Sequence, residues 1–154
     1  MPKIDLADIA PVNTTGYPAP FDDAVSGRWQ RRLGAINGMT HLSANYVTLE
    51  PGAWSSQRHW HEGEDEFLVM LAGEAVLIED EGETVLHPGD CVAWPAGVRN
   101  GHHLVNRSRA DCAFICFSAG DRQEGGAYSD IDMVFTRDGY FHRDGTPYPI
   151  RKSD

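Results

Sequence analysis

Residues 55–73, SSQRHWHEGEDEFLVMLAG, decide the fold class of this chain. In an extended strand, successive side chains point to opposite faces, so His59 and His61 share one face and Trp60 lies on the other. After the acidic turn HEGED, the apolar run FLVML has the length of a buried strand and ends at Gly73. This pattern predicts two adjacent strands with a pair of imidazoles on one face.

The rest of the chain repeats this alternation of short apolar runs and turns. The turn signals EPG, LAGE, DEGE, HPGD, PAG and SAGD separate segments rich in β-branched and aromatic residues. No long stretch has the 3.6-residue period of an amphipathic helix, and RWQRRLGAI (residues 28–36) is compatible with either a short helix or a first strand. An open sheet of this size would leave exposed edges, so we predict an all-β, closed or double-sheet barrel.

The chain has 154 residues, the length of a single domain. Residues 1–27 are rich in Pro, Gly and Asp and are predicted to form an arm that carries no chemistry. Residues 28–120 hold the predicted barrel. Residues 121–154 contain an apolar strand, a hairpin turn at Asp138-Gly139 and a Pro-rich tail, which we expect to pack on the barrel exterior or on a second subunit.

Composition excludes several classes of protein. Thirteen Lys and Arg against 23 Asp and Glu give a net charge of −10, and no basic tract indicates a nucleic-acid partner. The apolar runs fall far short of the roughly 18 residues of a membrane helix, and no signal-peptide pattern follows Met1, so we expect a cytoplasmic protein without a membrane partner. The three cysteines, an odd count without a CxxC motif, indicate reduced thiols.

A metal site is the chemistry that the histidines favour. Glu66 follows His61 by five residues, close enough for a hairpin to bring its carboxylate to the two imidazoles, and this donor set is a recurring one for transition metals. In GHHLVN, strand alternation directs His102 inward and His103 outward. The alternatives are a pair of exposed histidines on a strand edge and a Glu66 that is one of several surface acids.

These residues resemble the two motifs of the cupin superfamily. The first motif is matched by Gly52, His59, His61, Glu66 and Gly73, with one additional residue before His59. The second is matched by Gly89, Pro95, Gly97, His102 and Asn106. The gap after Gly97 is two residues longer than the family pattern, which puts Asn100 at the usual histidine place. The spacing back from Asn106 and the strand parity both favour His102 as the fourth ligand, with His103 as the alternative.

The resemblance carries expectations for fold, cofactor and assembly. The stretch from about residue 29 to residue 148 resembles small single-domain cupins labelled mannose-6-phosphate isomerase-like or sugar-phosphate isomerase. It implies a double-stranded β-helix (jelly-roll) barrel. It also implies a divalent ion (Zn, Fe, Mn or Ni) held by His59, His61, Glu66 and His102, and a homodimer formed by exchanged terminal strands.

Three functions are consistent with such a centre. Three neutral imidazoles and one carboxylate leave about one positive charge on a divalent ion, which favours a small anionic or oxygen-chelating ligand. Isomerisation or epimerisation of a sugar or sugar phosphate is the leading hypothesis. An Fe(II)-dependent dioxygenase and a non-catalytic metal-dependent binder are the alternatives. Tyr46 is a candidate proton-transfer residue, and Arg99 is the basic residue expected near the mouth, whereas Arg58 faces away by parity.

Overall fold

The computed structural model describes residues 3–121 and 123–149. Within them the chain forms twelve strands and three short helical segments. The helical segments are two 3-10 turns, Leu6–Asp8 and Asp23–Val25, and the single-turn helix α1 (Leu33–Ile36). The strands are β1 (Arg28–Arg31), β2 (Ser43–Leu49), β3 (His59–His61), β4 (Glu64–Ala72), β5 (Ala75–Glu79), β6 (Gly82–Leu86), β7 (Cys91–Trp94), β8 (His103–Val105), β9 (Cys112–Gly120), β10 (Gly126–Tyr128), β11 (Val134–Thr136) and β12 (Gly139–Phe141). No described helix has the length and apolar character to span a bilayer.

The strands form two facing layers of antiparallel sheet. One layer is a five-stranded sheet of order β1-β2-β9-β4-β7. The other consists of a four-stranded sheet, β12-β11-β10-β3, and a three-stranded sheet, β6-β5-β8. A β-bridge between His59 and His102 joins these two smaller sheets. This is the jelly-roll architecture, and the predicted all-β fold is confirmed.

Alternation along β4 separates the core from the outer surface. Leu68 and Met70 are 3% and 1% exposed and belong to the main hydrophobic cluster, whereas Phe67 and Leu71 are both 41% exposed. The side chains that share the parity of Leu68 therefore point between the layers. Glu66 has this parity, so its carboxylate faces the barrel interior.

The ambiguous segment RWQRRLGAI contains both of the structures that its sequence allows. Its first four residues form β1, and α1 follows directly. Arg28 pairs with Leu49 and Gln30 with Val47 across the antiparallel ladder. Because directly paired residues point to the same face and Leu49 and Val47 are buried in the core, Arg28 and Gln30 also face the interior. An arginine is thus directed into the barrel.

The N-terminal arm and the C-terminal segment pack on each other. Tyr17 and Val25 of the arm form a second buried cluster with Tyr128 and Met133. Strand β10 pairs with β3, and β11 and β12 form a hairpin that extends this sheet. Within the described residues, the C-terminal segment is therefore part of the barrel wall of its own chain.

The turn after β4 depends on a glycine. Gly73 has a φ of +68°, which L side chains rarely adopt, and a Cβ placed there would lie 2.7 Å from the Asp111 carbonyl oxygen. Only a residue without a side chain allows β4 to end so close to the start of β9. The family motif and the packing thus require the same residue.

Candidate metal centre

Strands β3 and β4 do not form the hairpin expected from the sequence, because β3 pairs with β10 and β4 pairs with β7 and β9 in a different sheet. The turn between these two strands nevertheless brings together the three predicted ligands nearest in sequence. His59, His61 and Glu66 offer ligand atoms that all lie within 4.8 Å of one another. The Nε2 atoms of His59 and His61 are 3.9 Å and 3.6 Å from Oε2 of Glu66. The fold therefore directs two imidazoles at one carboxylate oxygen, between the two sheets to which β3 and β4 belong.

His102, which directly precedes β8 and forms a β-bridge with His59, approaches the same carboxylate oxygen. Its backbone N–H donates to the His59 carbonyl at 2.9 Å, and its Nε2 lies 2.8 Å from Glu66 Oε2. The predicted outward direction of His103 is wrong, because this residue is 4% exposed and its side chain is held inside by other partners. Its Nδ1 contacts the Ser56 carbonyl at 2.9 Å, and its ring meets the edge of Trp54. The structure thus brings His102, rather than His103, to the carboxylate.

Asn100, which the family spacing puts at the histidine position, has a different role. Its side-chain oxygen accepts from the Asp80 N–H at 3.0 Å, and its amide nitrogen donates to Glu79 at 3.0 Å. Its backbone carbonyl contacts Nδ1 of His102 at 3.0 Å. The two additional loop residues therefore displace Asn100 to a supporting position beside the cluster.

A tryptophan orients His102. The ring of Trp94 stacks on the His102 imidazole with centroids 3.9 Å apart and planes 7° from parallel. The indole N–H donates to Glu79 at 2.8 Å, so Glu79 holds both Trp94 and Asn100. Partners that hold a ligand imidazole in place are typical of metal sites.

Polar groups lie beside Nδ1 of the other two imidazoles. Nδ1 of His59 lies 3.0 Å from the Gln57 carbonyl and 3.2 Å from Ser56 Oγ, while Nδ1 of His61 lies 3.3 Å from a carboxylate oxygen of Glu64. In each ring, Nδ1 faces a supporting group and Nε2 faces Glu66. This is how proteins fix the tautomer and direction of metal-ligating histidines.

The charge states of the cluster fit a cation. Burial, together with the neighbouring histidines and despite the attraction of Glu66, lowers the pKa of His59 to about 3, so this ring is neutral at pH 7. Burial alone would raise the pKa of Glu66, but the hydrogen bond with His102 and the nearby imidazoles lower it to about 2. Where the lone pair of a neutral imidazole, rather than its N–H, faces the carboxylate, a cation between the two groups removes their repulsion. The donor set therefore suits a divalent metal.

A cavity of about 230 Å³ adjoins this cluster. Its apolar wall includes Val47, Leu68, Leu104 and Phe114, from β2, β4, β8 and β9. Its polar wall beyond the histidines includes Tyr17, Arg28, Gln30 and Cys116. The volume is below the range of about 300–1,000 Å³ typical of sites for drug-sized ligands, so the cavity suits a small metabolite.

Three residues considered from the sequence lie outside this cavity. Tyr46 pairs with Ile115 on the parity opposite to Val47, so it faces outward and the structure does not support a proton-transfer role there. Arg99 pairs with Glu62 at 3.1 Å, and its side chain is 71% exposed. Arg58, as expected from parity, faces away from the cluster.

Sequence reasoning missed two cavity residues. Arg28 could have been found, because a strand reading of RWQRR puts Arg28 and Gln30 on the face opposite Trp29. Tyr17 gave no local signal, since it lies in the arm to which we assigned no chemistry. Its hydroxyl accepts from the Gln57 N–H at 3.3 Å and lines the cavity. The arm therefore contributes a side chain to the cavity wall, which the sequence did not indicate.

Tyr17 belongs to a buried group of three tyrosines beside the cluster. The centroid of the Tyr128 ring lies 5.6 Å from that of Tyr17, 6.3 Å from that of Tyr140 and 5.8 Å from that of His59. Burial raises the pKa of Tyr17 to about 12. Tyr17 therefore keeps its proton at neutral pH and offers the cavity a hydrogen-bond donor rather than a base.

Comparison with known proteins identifies the family. Residues 45–118 match the cupin domain family, and the chain belongs to the cupin superfamily. A sugar phosphate isomerase of the cupin superfamily from Silicibacter pomeroyi, SPO2919, is 40% identical and superposes with a TM-score of 0.90 over 96% of this chain and 97% of its own. No curated protein matches the chain.

Two more distant structures share the fold. A candidate sugar phosphate isomerase from Acidithiobacillus ferrooxidans is 20% identical, with a TM-score of 0.70 over 83% of this chain and 84% of its own. The polyketide cyclase RemF from Streptomyces resistomycificus is 19% identical, with a TM-score of 0.68 over 85% and 87%. Since these two structures carry different activity names, the barrel alone does not define the reaction.

Proposed function

We propose that this cupin is a metal-dependent enzyme that isomerises a small sugar or sugar phosphate. The observation that carries the proposal is the convergence of three imidazole Nε2 atoms on Glu66 Oε2, at distances of 3.9, 3.6 and 2.8 Å, beside a small cavity. The 40% identity to a protein titled a sugar phosphate isomerase supports the choice of reaction.

His59, His61, Glu66 and His102 would hold the metal. A divalent ion bound there would act as a Lewis acid toward a substrate carbonyl oxygen and stabilise developing negative charge. The apolar wall of the cavity would exclude water from the reacting carbons. Tyr17 would donate a hydrogen bond to a substrate oxygen, since its hydroxyl keeps its proton at neutral pH.

The metal requirement is tested with matched variants. Metal analysis of the purified protein should give one divalent ion per chain in the wild type and in His87→Ala, whose histidine lies in an exposed turn. The double variant His59→Ala, His61→Ala should lose it. Stoichiometric metal retained in the double variant would contradict the site.

The reaction is tested separately with the metal-loaded protein. We expect conversion of at least one aldose or ketose phosphate when Zn, Fe, Mn and Ni forms are assayed against a panel of sugar phosphates. No conversion above background with any metal would refute isomerisation. Oxygen consumption by the Fe(II) form with diol or β-diketone substrates would instead support the dioxygenase alternative.

Assembly and location remain predictions. The outer face of the five-stranded sheet exposes Trp29, Phe67 and Leu71 by 37–41%, and we propose that a second copy of the chain covers it in a homodimer. Light scattering should give twice the chain mass of 17.0 kDa, and a monomer at micromolar concentration would contradict this. A cytoplasmic location and the lack of nucleic-acid and membrane partners are still inferred from composition alone.

A further inference from the structure

The cavity is lined by an arginine, Arg28, that has no carboxylate in ion-pair contact among the described residues. Arg28 is half-buried on β1 and points between the layers. Within residues 3–121 and 123–149 it forms no ion pair with a carboxylate, and burial keeps the nearby side chains of Tyr17, Tyr140, Cys116 and Tyr128 protonated and neutral at pH 7. Burial lowers the pKa of Arg28, so its charged form is held in an environment that destabilises it.

Neutral acceptors position the guanidinium. Nη1 donates to the Ser55 carbonyl at 2.7 Å. With the Gln30 amide in the orientation that satisfies both of its polar atoms, its oxygen accepts from Nε at 3.0 Å and from Nη2 at 3.2 Å. A guanidinium has five N–H donors, so these three bonds leave two donors, one on Nη1 and one on Nη2. The remaining pair matches two oxygens of one anionic group.

Arg28 is connected to the candidate metal centre by a shared cavity and by a series of polar contacts. Arg28 lines the same cavity as Glu66 and His59. A chain of contacts runs from Arg28 to Ser55, from Ser55 Oγ to Ser56 Oγ at 3.4 Å, and from there to His59 Nδ1 at 3.2 Å. The cavity thus has a cluster of metal-type ligands and a fixed cation on one connected polar wall.

We propose that Arg28 is the anion-binding residue of this cavity, and that the ligand carries a carboxylate or phosphate group bound by its two remaining donors. An unpaired charge in a partly buried site is unfavourable, and an anionic ligand supplies the missing counter-charge. Tyr17, beside Arg28 on the same wall, supplies a neutral donor to the same group. The inference rests on the proposed function in taking this cavity as the ligand site, and it adds the residue that selects the substrate class.

The test compares three probes with the same three-carbon backbone: glycerol, glycerate and glycerol 3-phosphate. Their dissociation constants for the metal-loaded protein are measured by calorimetry, without turnover, for the wild type, Arg28→Met, Arg28→Lys and Arg99→Met. Arg99→Met is the matched control, because it removes an exposed arginine from the loop that sequence reasoning put at the mouth.

At least one anionic probe should bind the wild type more tightly than glycerol does. Arg28→Met should weaken that probe about 10–100-fold, as expected for lost charge-assisted hydrogen bonds, and leave glycerol unchanged. Arg28→Lys, which keeps the charge and loses the planar fork, should be intermediate. Arg99→Met should stay within about twofold of the wild type. The probe with the larger loss tells whether the ligand is a phosphate or a carboxylate.

Two results would overturn the inference: anionic probes that bind no better than glycerol, or equal affinities in Arg28→Met and Arg99→Met. Thermal unfolding of each variant shows that it is folded before binding is compared, and Arg28→Lys provides the test if Arg28→Met is not. Failure of the proposed function can be distinguished from failure of this inference. If anionic probes bind in an Arg28-dependent way but no sugar phosphate is isomerised, the proposed function is wrong and this inference stands. Isomerisation of sugar phosphates with undiminished anion binding in Arg28→Met would refute the inference alone.

Discussion

Replacing the two adjacent histidines one at a time separates their roles. In His102→Ala the ring that contacts Glu66 at 2.8 Å is removed, while His103→Ala removes a buried ring held by Ser56 and Trp54. The two residues differ by one position in the chain and are both 4% exposed, so each variant is the other's control for burial. We expect His102→Ala to affect metal affinity and His103→Ala to affect stability.

The expected magnitudes follow from the number and type of contacts. Four-ligand zinc sites bind with about 10–16 kcal/mol, so one ligand of four is worth roughly 2.5–4 kcal/mol, a loss of about 10²–10³-fold in affinity. In His103→Ala, a hydrogen bond and a buried aromatic contact are lost, together worth about 1–3 kcal/mol of unfolding free energy. Metal affinity should then change by less than about tenfold, since His103 does not contact Glu66.

Competition with a chromophoric chelator gives the metal affinity, and urea unfolding of the metal-free protein gives the stability. Both measurements are made on the wild type and both variants at pH 7.5, where His59 is neutral. If His103→Ala loses the larger share of metal affinity, or if the two variants are equal, the assignment of His102 as the fourth ligand is wrong.

Three further outcomes are expected. Trp94→Leu removes the ring stacked on His102 and should weaken metal affinity about 10–100-fold in the same competition assay, while unchanged affinity would exclude a positioning role. A thiol reagent should modify exposed Cys91 rapidly and Cys116 slowly in the native protein, because burial raises the pKa of Cys116 to about 12; equal rates at both would contradict the packing. The hydrogen bond from Arg58, with its charge, lowers the pKa of Asp130, so this carboxylate stabilises the fold above its unfolded pKa of about 4. The loss of stability in Asp130→Asn should therefore shrink as pH falls below about 4, and a pH-independent loss in urea unfolding would refute the pairing.

Much of the centre could be predicted because its first three ligands lie in one short stretch of sequence, residues 59–66. Strand alternation puts His59 and His61 on one face without knowledge of any distant contact, and it puts Glu66 on the same face of β4 as the buried Leu68 and Met70. The loop before His102 was harder, because the family spacing pointed to Asn100. Parity relative to Asn106 directed attention to the residue that the structure brings to Glu66.

The sequence by itself determined the all-β class and the inward faces of β3 and β4, because these follow from local periodicity and turn chemistry, and the resemblance of its two motifs to the cupins implied the jelly roll. Only the tertiary structure decided which groups share the cavity. Arg28 reaches it because β1 lies at the edge of a sheet assembled from strands distant in sequence, and Tyr17 reaches it because the arm packs on the C-terminal strands. Such neighbours are set by long-range pairing and burial, which no window of sequence contains.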